Sequence, residues 1–196
     1  MTAETRNAVL SSAENGIITA RTITELGIHR HALQELVSNG EIIQCSRGIY
    51  MVADEFEDEY LILQRKYSKG IFSHGTALYL HGYSERVPLT FNMTFPSNYN
   101  SQSLKAENVI VTRVILENYG MGIIKITTPF GNPVNCYDLE RSLCDMLRGS
   151  ENDIQTIQFA MKKYVSSKEK DINKLMAYAA KLRVESKVRN YMEVLL

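Results

Sequence analysis

The stretch of residues 16–52 constrains the fold more than any other part of this chain. Thr19 is placed to cap a helix from Ala20 to Leu26, because a threonine hydroxyl accepts from the free N–H groups of a first helical turn. Gly27 supplies the positive φ that ends such a helix. A second helix is predicted from His29 to Asn39, where apolar residues recur three and four positions apart. The stretch therefore begins as two helices joined by a tight turn.

A short β-hairpin is predicted directly after the second helix. Its strands run from Ile42 to Cys45 and from Gly48 to Val52, and Arg47 lies at the tip. Two helices, a tight turn and an arginine-tipped hairpin are the layout of a winged helix-turn-helix, whose second helix enters the major groove of DNA. The alternative is a small helical domain whose hairpin serves only for contact with another protein.

The second predicted helix has an apolar side and a polar side. Leu33, Leu36 and Val37 share the apolar side, which we expect to pack inward. The polar side, the hairpin tip and the start of the first helix supply groups that can bind bases or phosphates. The residues expected to face base edges are Arg30, His31 and Gln34, and those expected to contact the DNA backbone or a flanking groove are Arg21, Thr22, Ser38 and Arg47.

The charge of this stretch argues against tight DNA binding by a single copy. The whole chain of 196 residues has a net charge of zero, and its first 52 residues hold four arginines and five glutamates. Neutralisation of phosphates supplies most of the non-specific affinity for DNA. We therefore expect a monomer in solution that binds cooperatively as two copies on a repeated site, where the contacts of both copies add.

The sharpest change of composition lies at residues 54–59, where five of the six residues are acidic. We place the domain boundary there, with a winged domain over residues 1–53 and an α+β domain over residues 54–196. A first helix is predicted from Ala3 to Glu14. The acidic residues are expected in the first turn of a helix that runs to Tyr67, where the helix dipole favours negative charge. The alternative is that the acidic run mimics nucleic acid.

The second domain is predicted to contain one helix, from His74 to Leu80, beside a small β-sheet. The predicted strands are Ile71–Phe72, Leu89–Phe95, Val109–Val114, Ile123–Thr127 and Val134–Tyr137. The second of these alternates apolar and polar residues and should be half-buried, and a polar loop is expected over residues 97–103. His74 and His81 share a helix face, but seven residues separate them by about 10 Å, too far for one metal ion. We expect both histidines to pack or to form hydrogen bonds.

A helix is predicted from Leu139 to Arg148, capped by Asp138. Its buried residues are expected to be Leu139, Leu143, Met146 and Leu147. Glu140 and Asp145 resemble an acid–base or metal-binding pair, but five residues on a helix separate their directions by about 140°. We therefore expect these two carboxylates to be solvated or to stabilise the end of the helix.

Three further helices are predicted over residues 153–164, 169–182 and 184–195, and the middle one has an inward stripe of Ile172, Leu175, Met176 and Ala179. Residues 162–189 hold nine lysines or arginines against three acidic residues. This region is either a solvated surface or a patch for an anionic partner such as RNA, DNA or an acidic protein face. The residues of this candidate partner surface are Lys162, Lys163, Lys170, Lys174, Lys181 and Arg183.

No motif in the chain marks an enzyme, a metal site or a cofactor site. The sequence lacks a phosphate-binding glycine loop, a dinucleotide fingerprint, an HExxH or paired-cysteine zinc pattern and a GxSxG elbow. We therefore interpret the chain as a binding protein without metal or cofactor. The alternatives are a nuclease or nucleotide-modifying activity in the second domain, and a repressor with a small-molecule pocket there.

The three cysteines, Cys45, Cys136 and Cys144, follow no disulfide or metal-binding spacing. We interpret them as reduced and mostly buried thiols. No signal peptide opens the sequence, and no apolar run is long enough to span a membrane. These features indicate a cytoplasmic protein without a membrane partner.

Four short segments stand out in order along the chain. They are Arg47–Tyr50 (RGIY), Ser73–Gly82 (SHGTALYLHG), Thr128–Pro129 (TP) and Asp138–Asp145 (DLERSLCD). In their order and spacing these segments resemble the AbiEi antitoxin family, and its streptococcal members in particular. The resemblance extends over nearly the whole chain.

The resemblance implies the antitoxin half of a type IV toxin–antitoxin system that acts in abortive phage infection. In that family the winged domain binds inverted repeats in the promoter of its own operon and represses it. The C-terminal domain is tied to protection against AbiEii, a nucleotidyltransferase toxin that binds GTP. A type IV antitoxin does not require a stable complex with its toxin, so the basic C-terminal surface is not implied to be a docking site.

Overall fold

The computed structural model describes residues 1–100, 108–149 and 153–195, and it confirms the α+β fold class. The chain forms two compact units. Unit 1 contains Met1–Ser68 and Thr128–Asn132, and unit 2 contains Lys69–Thr127 and Pro133–Leu196. The domain boundary predicted between residues 53 and 54 lies one helix before this division, because that helix packs within unit 1.

Unit 1 is a three-stranded sheet with helices on both faces. Its elements are α1 (Ala3–Ser11), β1 (Ile17–Thr19), α2 (Ala20–Glu25), α3 (His31–Ser38), β2 (Ile42–Ser46), β3 (Ile49–Val52) and α4 (Glu59–Lys66). The strands are antiparallel in the order β1–β3–β2. Ile18 on one face of the sheet packs with α1, α2 and α3, and Ile17 on the other face packs with α4.

The strand β1 is absent from the sequence prediction, which extends α1 to Glu14. The helix ends at Ser11, and the backbones of Glu14 and Ile17 exchange hydrogen bonds of 3.0 and 3.1 Å across a turn. Asn15 and Gly16 in this turn have φ values of 51° and 76°. An Asn-Gly pair favours such a turn between antiparallel strands. The chain therefore reverses at Asn15 and pairs Ile17 with Met51 of β3.

The two helices of the helix-turn-helix are shorter than predicted. The cap is confirmed, because Thr19 Oγ1 accepts from Thr22 N at 3.1 Å, but α2 ends at Glu25. The helix α3 begins at His31 and not at His29, since the intervening turn extends to Arg30.

The apolar side of α3 also differs from the prediction at one residue. Leu33 and Leu36 are buried as expected, but Val37 is 36% exposed. Ala32 takes its place in the core, because it lies four residues before Leu36 on the same side of the helix.

Asp58 is buried and joins two parts of unit 1. Its Oδ1 caps α4 by accepting from the N–H groups of Tyr60 and Leu61 at 3.0 and 3.2 Å. Its Oδ2 accepts from Thr128 Oγ1 at 2.6 Å and from Asn132 Nδ2 at 2.9 Å. These donors compensate the burial of the carboxylate, and they hold residues 128–132 in unit 1.

Unit 2 is a mixed five-stranded sheet with helices. Its elements are β4 (Ile71–Phe72), α5 (His74–Leu80), β5 (Phe91–Pro96), β6 (Val109–Val114), α6 (Leu116–Tyr119), β7 (Ile123–Thr127), β8 (Pro133–Tyr137), α7 (Leu139–Arg148), α8 (Ile154–Ser166), α9 (Ile172–Leu182) and α10 (Glu185–Leu195). The strand order is β6–β5–β4–β8–β7. The pairs β5–β6 and β4–β8 are parallel, and the other two pairs are antiparallel. The predicted bounds of α5, β6 and β7 are confirmed.

The strand β5 is buried on both faces, so the prediction of a half-buried strand is wrong. It lies between β4 and β6 and also contacts α5. Thr94 is 1% exposed and can be buried because its Oγ1 donates to Ser73 Oγ at 2.9 Å. Leu89 lies before the strand and is 90% exposed. Residues 101–103 of the predicted polar loop lie outside the described residues.

The helix α7 is the central element of unit 2, and it packs against α5, α8 and α9. Asp138 caps it as predicted by accepting from Arg141 N at 2.9 Å. Leu143, Met146 and Leu147 are buried as predicted, whereas Leu139 is only half-buried. Nearly every side of this helix therefore faces protein.

The prediction that Glu140 and Asp145 are solvated is wrong, since they are 6% and 3% exposed. Arg141 lies between these two residues in the sequence and is fully buried. Its Nε donates to Asp145 Oδ2 at 3.0 Å. Glu140 accepts from Tyr164 Oη at 3.1 Å and pairs with Lys174 Nζ at 3.0 Å. Both carboxylates are buried because cations elsewhere in the unit compensate them.

The helices α8, α9 and α10 complete the core around α7. The helix α9 begins at Ile172 because Asp171 caps it, accepting from Lys174 N at 2.9 Å. Leu175 and Ala179 of its predicted inward stripe are buried. Ile172 is 36% exposed, which corrects the prediction, since the first residue of the helix projects past the core.

Both histidines of the α5 region form hydrogen bonds inside unit 2, as predicted. His81 Nε2 lies 2.8 Å from the carbonyl oxygen of Tyr137, and His74 Nδ1 lies 2.9 Å from Ser73 Oγ. Burial, which disfavours the charged imidazole, is the main cause of a lowered pKa at both His74 and His81. Both side chains are therefore neutral at pH 7.

We expect this burial to make the protein less stable in mild acid. A histidine whose folded-state pKa is below its unfolded-state value of about 6.5 binds its proton first in the unfolded chain. The free energy of unfolding should therefore fall as the pH drops below about 6.5. Urea unfolding at a series of pH values should show a smaller fall for His81→Gln than for the wild type. An identical fall in both proteins would show that His81 does not contribute.

Two of the three cysteines are buried thiols, as predicted. Burial raises the pKa of Cys136, and it raises that of Cys144 to about 12, so both remain protonated. Cys45 is half-buried. None of the helices within the described ranges combines the length and the apolar character needed to cross a membrane.

Candidate nucleic-acid interface

The exposed side of α3 carries three of the predicted DNA-binding residues. His31, Gln34 and Ser38 are all exposed, and their positions on the helix lie within about 60° of one another. Ser38 Oγ donates to the carbonyl oxygen of Gln34 at 2.9 Å, so its proton is already used within the helix. His31 and Gln34 therefore offer the side-chain groups best suited to base edges on α3.

Arg30 lies at the N-cap position of α3 and not on the helix itself. Its Nε donates to Thr24 Oγ1 at 3.2 Å, and the Thr24 hydroxyl donates to the carbonyl oxygen of Ala20 at 2.9 Å. Arg30 remains exposed, as predicted. The bond to Thr24 could not be predicted from the sequence, because it depends on the turn between the two helices.

The hairpin of β2 and β3, which we call the wing, is hydrogen-bonded to the start of α2. Arg47 is exposed at the hairpin tip and is followed by Gly48, whose φ of 76° favours glycine. The carbonyl oxygen of Gly48 accepts from the N–H of Ala20 at 2.9 Å. This bond brings Arg47 to the end of α2 that carries Arg21, as a surface that contacts the DNA backbone requires.

The two predicted backbone-contacting residues of α2 already have partners within unit 1. Arg21 Nε donates to Glu25 Oε1 at 2.8 Å, and this hydrogen bond is the main cause of a raised pKa of Arg21. Thr22 Oγ1 lies 2.8 Å from Thr19 Oγ1 within the helix cap. A phosphate bound at this end of α2 must therefore compete with Glu25 for the guanidinium.

Ion pairs neutralise most of the glutamates near this surface. Exposed pairs of this kind contribute little stability, but they cancel charge locally. Within the described part of the chain, Arg30 and Arg47 form no ion pair, so no carboxylate neutralises their positive charge. The pairs are Glu14 with Arg65, Glu25 with Arg21, Glu35 with the amino group of Met1, and Glu41 with Arg6, at N–O distances from 2.6 to 2.9 Å.

Residues 8–53 match the family described as "Transcriptional regulator, AbiEi antitoxin". Over this segment the chain is similar to the AbiEi antitoxin family. The matched segment runs from within α1 to the residue after β3, and it contains all seven predicted DNA-binding residues. Residues 8–53 are thus similar to a family of antitoxin transcriptional regulators, and the particular likeness to streptococcal members stays a prediction.

The fold of this chain is similar to that of a solved structure, the RV2827C protein from Mycobacterium tuberculosis. The two chains are 15% identical with a TM-score of 0.66, and the match covers 98% of this chain and 80% of that one. At this level of identity the likeness concerns the fold alone. No curated protein matches the chain.

Half of the residues of the predicted basic surface are used in contacts within unit 2. Lys163 Nζ donates to the carbonyl oxygen of Gly82 at 2.7 Å. Lys170 Nζ donates to the carbonyl oxygen of Ser167 at 3.1 Å. Lys174 Nζ lies 3.0 Å from both Asp138 Oδ2 and Glu140 Oε2. These three lysines therefore stabilise the fold.

The other three residues of that surface are free of such contacts among the described residues. Lys162 is exposed on α8, Lys181 is exposed on α9, and Arg183 is exposed where α9 ends. Arg183 adopts a left-handed conformation with a φ of 60° at this end. Their role as a partner surface stays a prediction.

Cavities in unit 2 bear on the alternative of a small-molecule repressor. Two open cavities, of about 240 and 220 Å³, share the lining residues Ser84, Arg86 and Thr156. Both are smaller than the roughly 300–1,000 Å³ of ordinary ligand pockets. Among the described residues, no group of three or more histidines, cysteines or acidic residues is placed to hold a metal ion.

Proposed function

We propose that this protein represses transcription of its own operon and is the antitoxin of a type IV toxin–antitoxin system in abortive phage infection. The observation that carries the proposal is the exposed polar side of α3 in a unit whose arginine-tipped wing is hydrogen-bonded to α2. The AbiEi family match over these elements supports it. In this proposal the protein is cytoplasmic and binds DNA without catalysing a reaction.

In the proposed complex, α3 lies in the major groove of the promoter. His31 and Gln34 face base edges from the helix, and Arg30 reaches them from its start. Imidazole, amide and guanidinium groups can all form hydrogen bonds with the donors and acceptors of that groove. These contacts supply the sequence preference.

The wing and the start of α2 contact the DNA backbone or the flanking groove. Arg47 neutralises phosphate charge there, and Arg21 does so when its guanidinium is shared with or released from Glu25. Backbone contacts fix the register of the protein on the duplex but carry no sequence information. The proposal thus separates the residues that position α3 from those that read bases.

Two copies bind inverted repeats cooperatively. Few arginines in unit 1 are free of ion pairs, so a single copy neutralises few phosphates. A two-fold related pair of sites doubles these contacts, and binding of one copy raises the effective concentration of the second. The protein is then a monomer in solution and a pair on DNA.

The C-terminal part counters a nucleotidyltransferase toxin encoded beside it. A type IV system does not require a stable complex, so the protein need not bind the toxin directly. Lys162, Lys181 and Arg183 are the exposed cations of the predicted partner surface that remain available for such a role. An RNA, DNA or acidic protein partner would fit their charge.

Replacing Arg47 by alanine should weaken binding to the promoter by roughly tenfold and reduce the dependence of log K on log salt by about one phosphate contact. The change removes a charged wing residue that makes no ion pair within the described part of unit 1. Fluorescence anisotropy with a labelled promoter duplex over a range of salt concentrations measures both quantities. Unchanged affinity would remove Arg47 from the interface.

The matched control for this experiment is Arg6→Ala. It removes the same charge from unit 1, but Arg6 is paired with Glu41. Its effect on affinity should be much smaller, which separates a local contact from a change in net charge. The duplex should stay at full length in the presence of Mg²⁺, whereas cleavage would favour the nuclease alternative.

We expect repression and protection from the toxin to be separable. A full-length variant with both Arg30→Ala and Arg47→Ala should fail to repress a promoter fusion but should still protect cells that express the toxin. Loss of protection in the folded full-length variant would contradict this division of labour.

A further inference from the structure

We propose that Thr24 is a positioning residue for Arg30. In this proposal the guanidinium of Arg30 binds one guanine of each half-site end-on, that is, through Nη1 and Nη2 and not through Nε. The inference rests on the proposed DNA binding and adds the base that is read. It depends on the hydrogen-bonded chain from Ala20 through Thr24 to Arg30.

The Thr24 hydroxyl is oriented by the backbone of its own helix. Its proton is donated to the carbonyl oxygen of Ala20 at 2.9 Å, so its remaining lone pairs point away from that carbonyl. Arg30 Nε donates to this oxygen at 3.2 Å across the turn. The direction of the second bond is therefore set by the first.

Arg30 is also held at its backbone. It occupies the N-cap position of α3 with φ −58° and ψ −18°, and its carbonyl oxygen accepts from the N–H of Leu33 at 3.1 Å. The preceding turn is fixed by Gly27, whose φ is 72°, and by a 3.0 Å bond from Ile28 N to the carbonyl oxygen of Ile23. An arginine tethered at both its Cα and its Nε has lost much of its rotamer freedom before DNA arrives.

The tether decides which part of the guanidinium is left to bind DNA. Because Nε is used by Thr24, the remaining donors are the N–H groups of Nη1 and Nη2, and no hydrogen bond from either is present within the described residues. Two parallel N–H groups match the O6 and N7 acceptors of guanine in the major groove. Adenine presents an N6 donor in place of one acceptor, so the same fork discriminates against it.

A side-on contact would need Nε and would therefore break the bond to Thr24. The hydrogen bond from Arg30 Nε to Thr24 therefore favours the end-on contact, in which Nη1 and Nη2 donate to guanine, over the side-on contact. Thr24 itself need not touch the DNA, because it acts through Arg30. Bidentate arginine–guanine pairs discriminate against a wrong base by on the order of ten- to a hundredfold.

The test uses the full-length protein and its own promoter duplex, in which single guanines are replaced by 7-deazaguanine. This replacement removes the N7 acceptor and retains base pairing. We compare wild type, Thr24→Val, Thr24→Ser, Arg30→Ala and the double variant Thr24→Val/Arg30→Ala by fluorescence anisotropy at constant salt. Circular dichroism checks that each variant is folded, and valine keeps the shape and the β-branching of threonine.

In the wild type, one guanine in each half-site should show a loss of roughly tenfold or more on replacement, and this loss should disappear in Arg30→Ala. Thr24→Val should bind the native duplex several-fold more weakly and show a smaller loss at the same guanine. Thr24→Ser should behave as the wild type. The double variant should bind no more weakly than Arg30→Ala alone, because Thr24 has no role without its partner.

Different failures are distinguishable in this design. If the effects of Thr24→Val and Arg30→Ala multiply in the double variant, or if Thr24→Val keeps the full loss at that guanine, the positioning role is overturned while DNA binding stands. If no single guanine is sensitive, or if Arg30→Ala leaves the sensitivity unchanged, the guanine assignment is overturned. If the wild type prefers its promoter no more than an unrelated duplex, both this inference and the proposed function are overturned.

Discussion

Replacing Arg141 by methionine should lower the free energy of unfolding by about 3–5 kcal/mol, because it leaves Asp145 buried without its cation. Arg141 is fully buried, and its Nε donates to Asp145 Oδ2 at 3.0 Å. Its Nη1 donates to the carbonyl oxygens of Asn118 and Met121 at 2.6 and 3.0 Å. The guanidinium also lies 4.2 Å from the centre of the Tyr137 ring.

Urea unfolding followed by tyrosine fluorescence suits this measurement, since the chain has eleven tyrosines and no tryptophan. The double variant Arg141→Met/Asp145→Leu removes both charges and should recover part of the loss. Recovery should be incomplete because the carbonyl groups of Asn118 and Met121 still lose their donor. A single Arg141→Met variant within about 1 kcal/mol of wild type would show that the buried network contributes little.

Features that depend on neighbours in sequence were predictable. The Thr19 cap needs only Thr22, three residues away, and the structure shows the bond at 3.1 Å. The Asp138 cap of α7 follows from the same kind of local signal, since it needs only Arg141, three residues away. The wing was also predictable, because a glycine at position 48 permits the tight turn that its φ of 76° requires.

Features that depend on distant partners were not predictable from local pattern. The strand β1 has three residues and exists because Ile17 pairs with Met51, a residue outside any local window. Glu140 and Asp145 look like surface residues by helix periodicity, yet both are buried. Their burial requires Arg141 and Lys174, and the second of these lies on a different helix.

In the candidate interface, too, features that depend on one local element were predictable, and features that depend on contacts across a turn were not. Exposure of Arg47, His31 and Gln34 follows from the polar side of one helix and the tip of one hairpin, and it was predicted. The bond from Arg30 to Thr24 spans a turn whose geometry depends on where α3 begins. The sequence prediction began this helix at His29, which would place Arg30 on the helix. The contact between Arg30 and Thr24 could therefore not be predicted.

Lys162 and Lys174 belong to the same predicted basic surface, but the structure gives them different surroundings. Charge reversal at Lys174 should lower the free energy of unfolding by about 2–4 kcal/mol, a range below that of a fully buried pair because Lys174 is partly exposed. Glutamate at this position would place a third carboxylate beside Asp138 and Glu140, which are 6% exposed each. Charge reversal at the exposed Lys162 should change stability by no more than about 0.5 kcal/mol.

The pH dependence of the Lys174 contribution has a defined sign. Burial lowers the pKa of Lys174, but its hydrogen bonds to Asp138 and Glu140 raise the pKa by more than burial lowers it. The net change in the pKa is therefore upward. A raised folded-state pKa gives stability that is fully present below the unfolded-state value of about 10.4 and is lost only as the pH rises through the folded-state value. The difference in stability between wild type and Lys174→Gln should therefore be constant from about pH 6 to about pH 9.

These two lysines separate loss of structure from loss of a partner surface. If the basic surface counters the toxin, Lys162→Glu should reduce protection of cells while its unfolding curve matches that of the wild type. Lys174→Glu should reduce protection together with stability, and a shift of its unfolding midpoint would mark the loss as structural. If Lys162→Glu protects as well as the wild type, the surface around Lys162 is only solvated. If Lys174→Glu unfolds as the wild type does, the bridge to Asp138 and Glu140 does not stabilise unit 2.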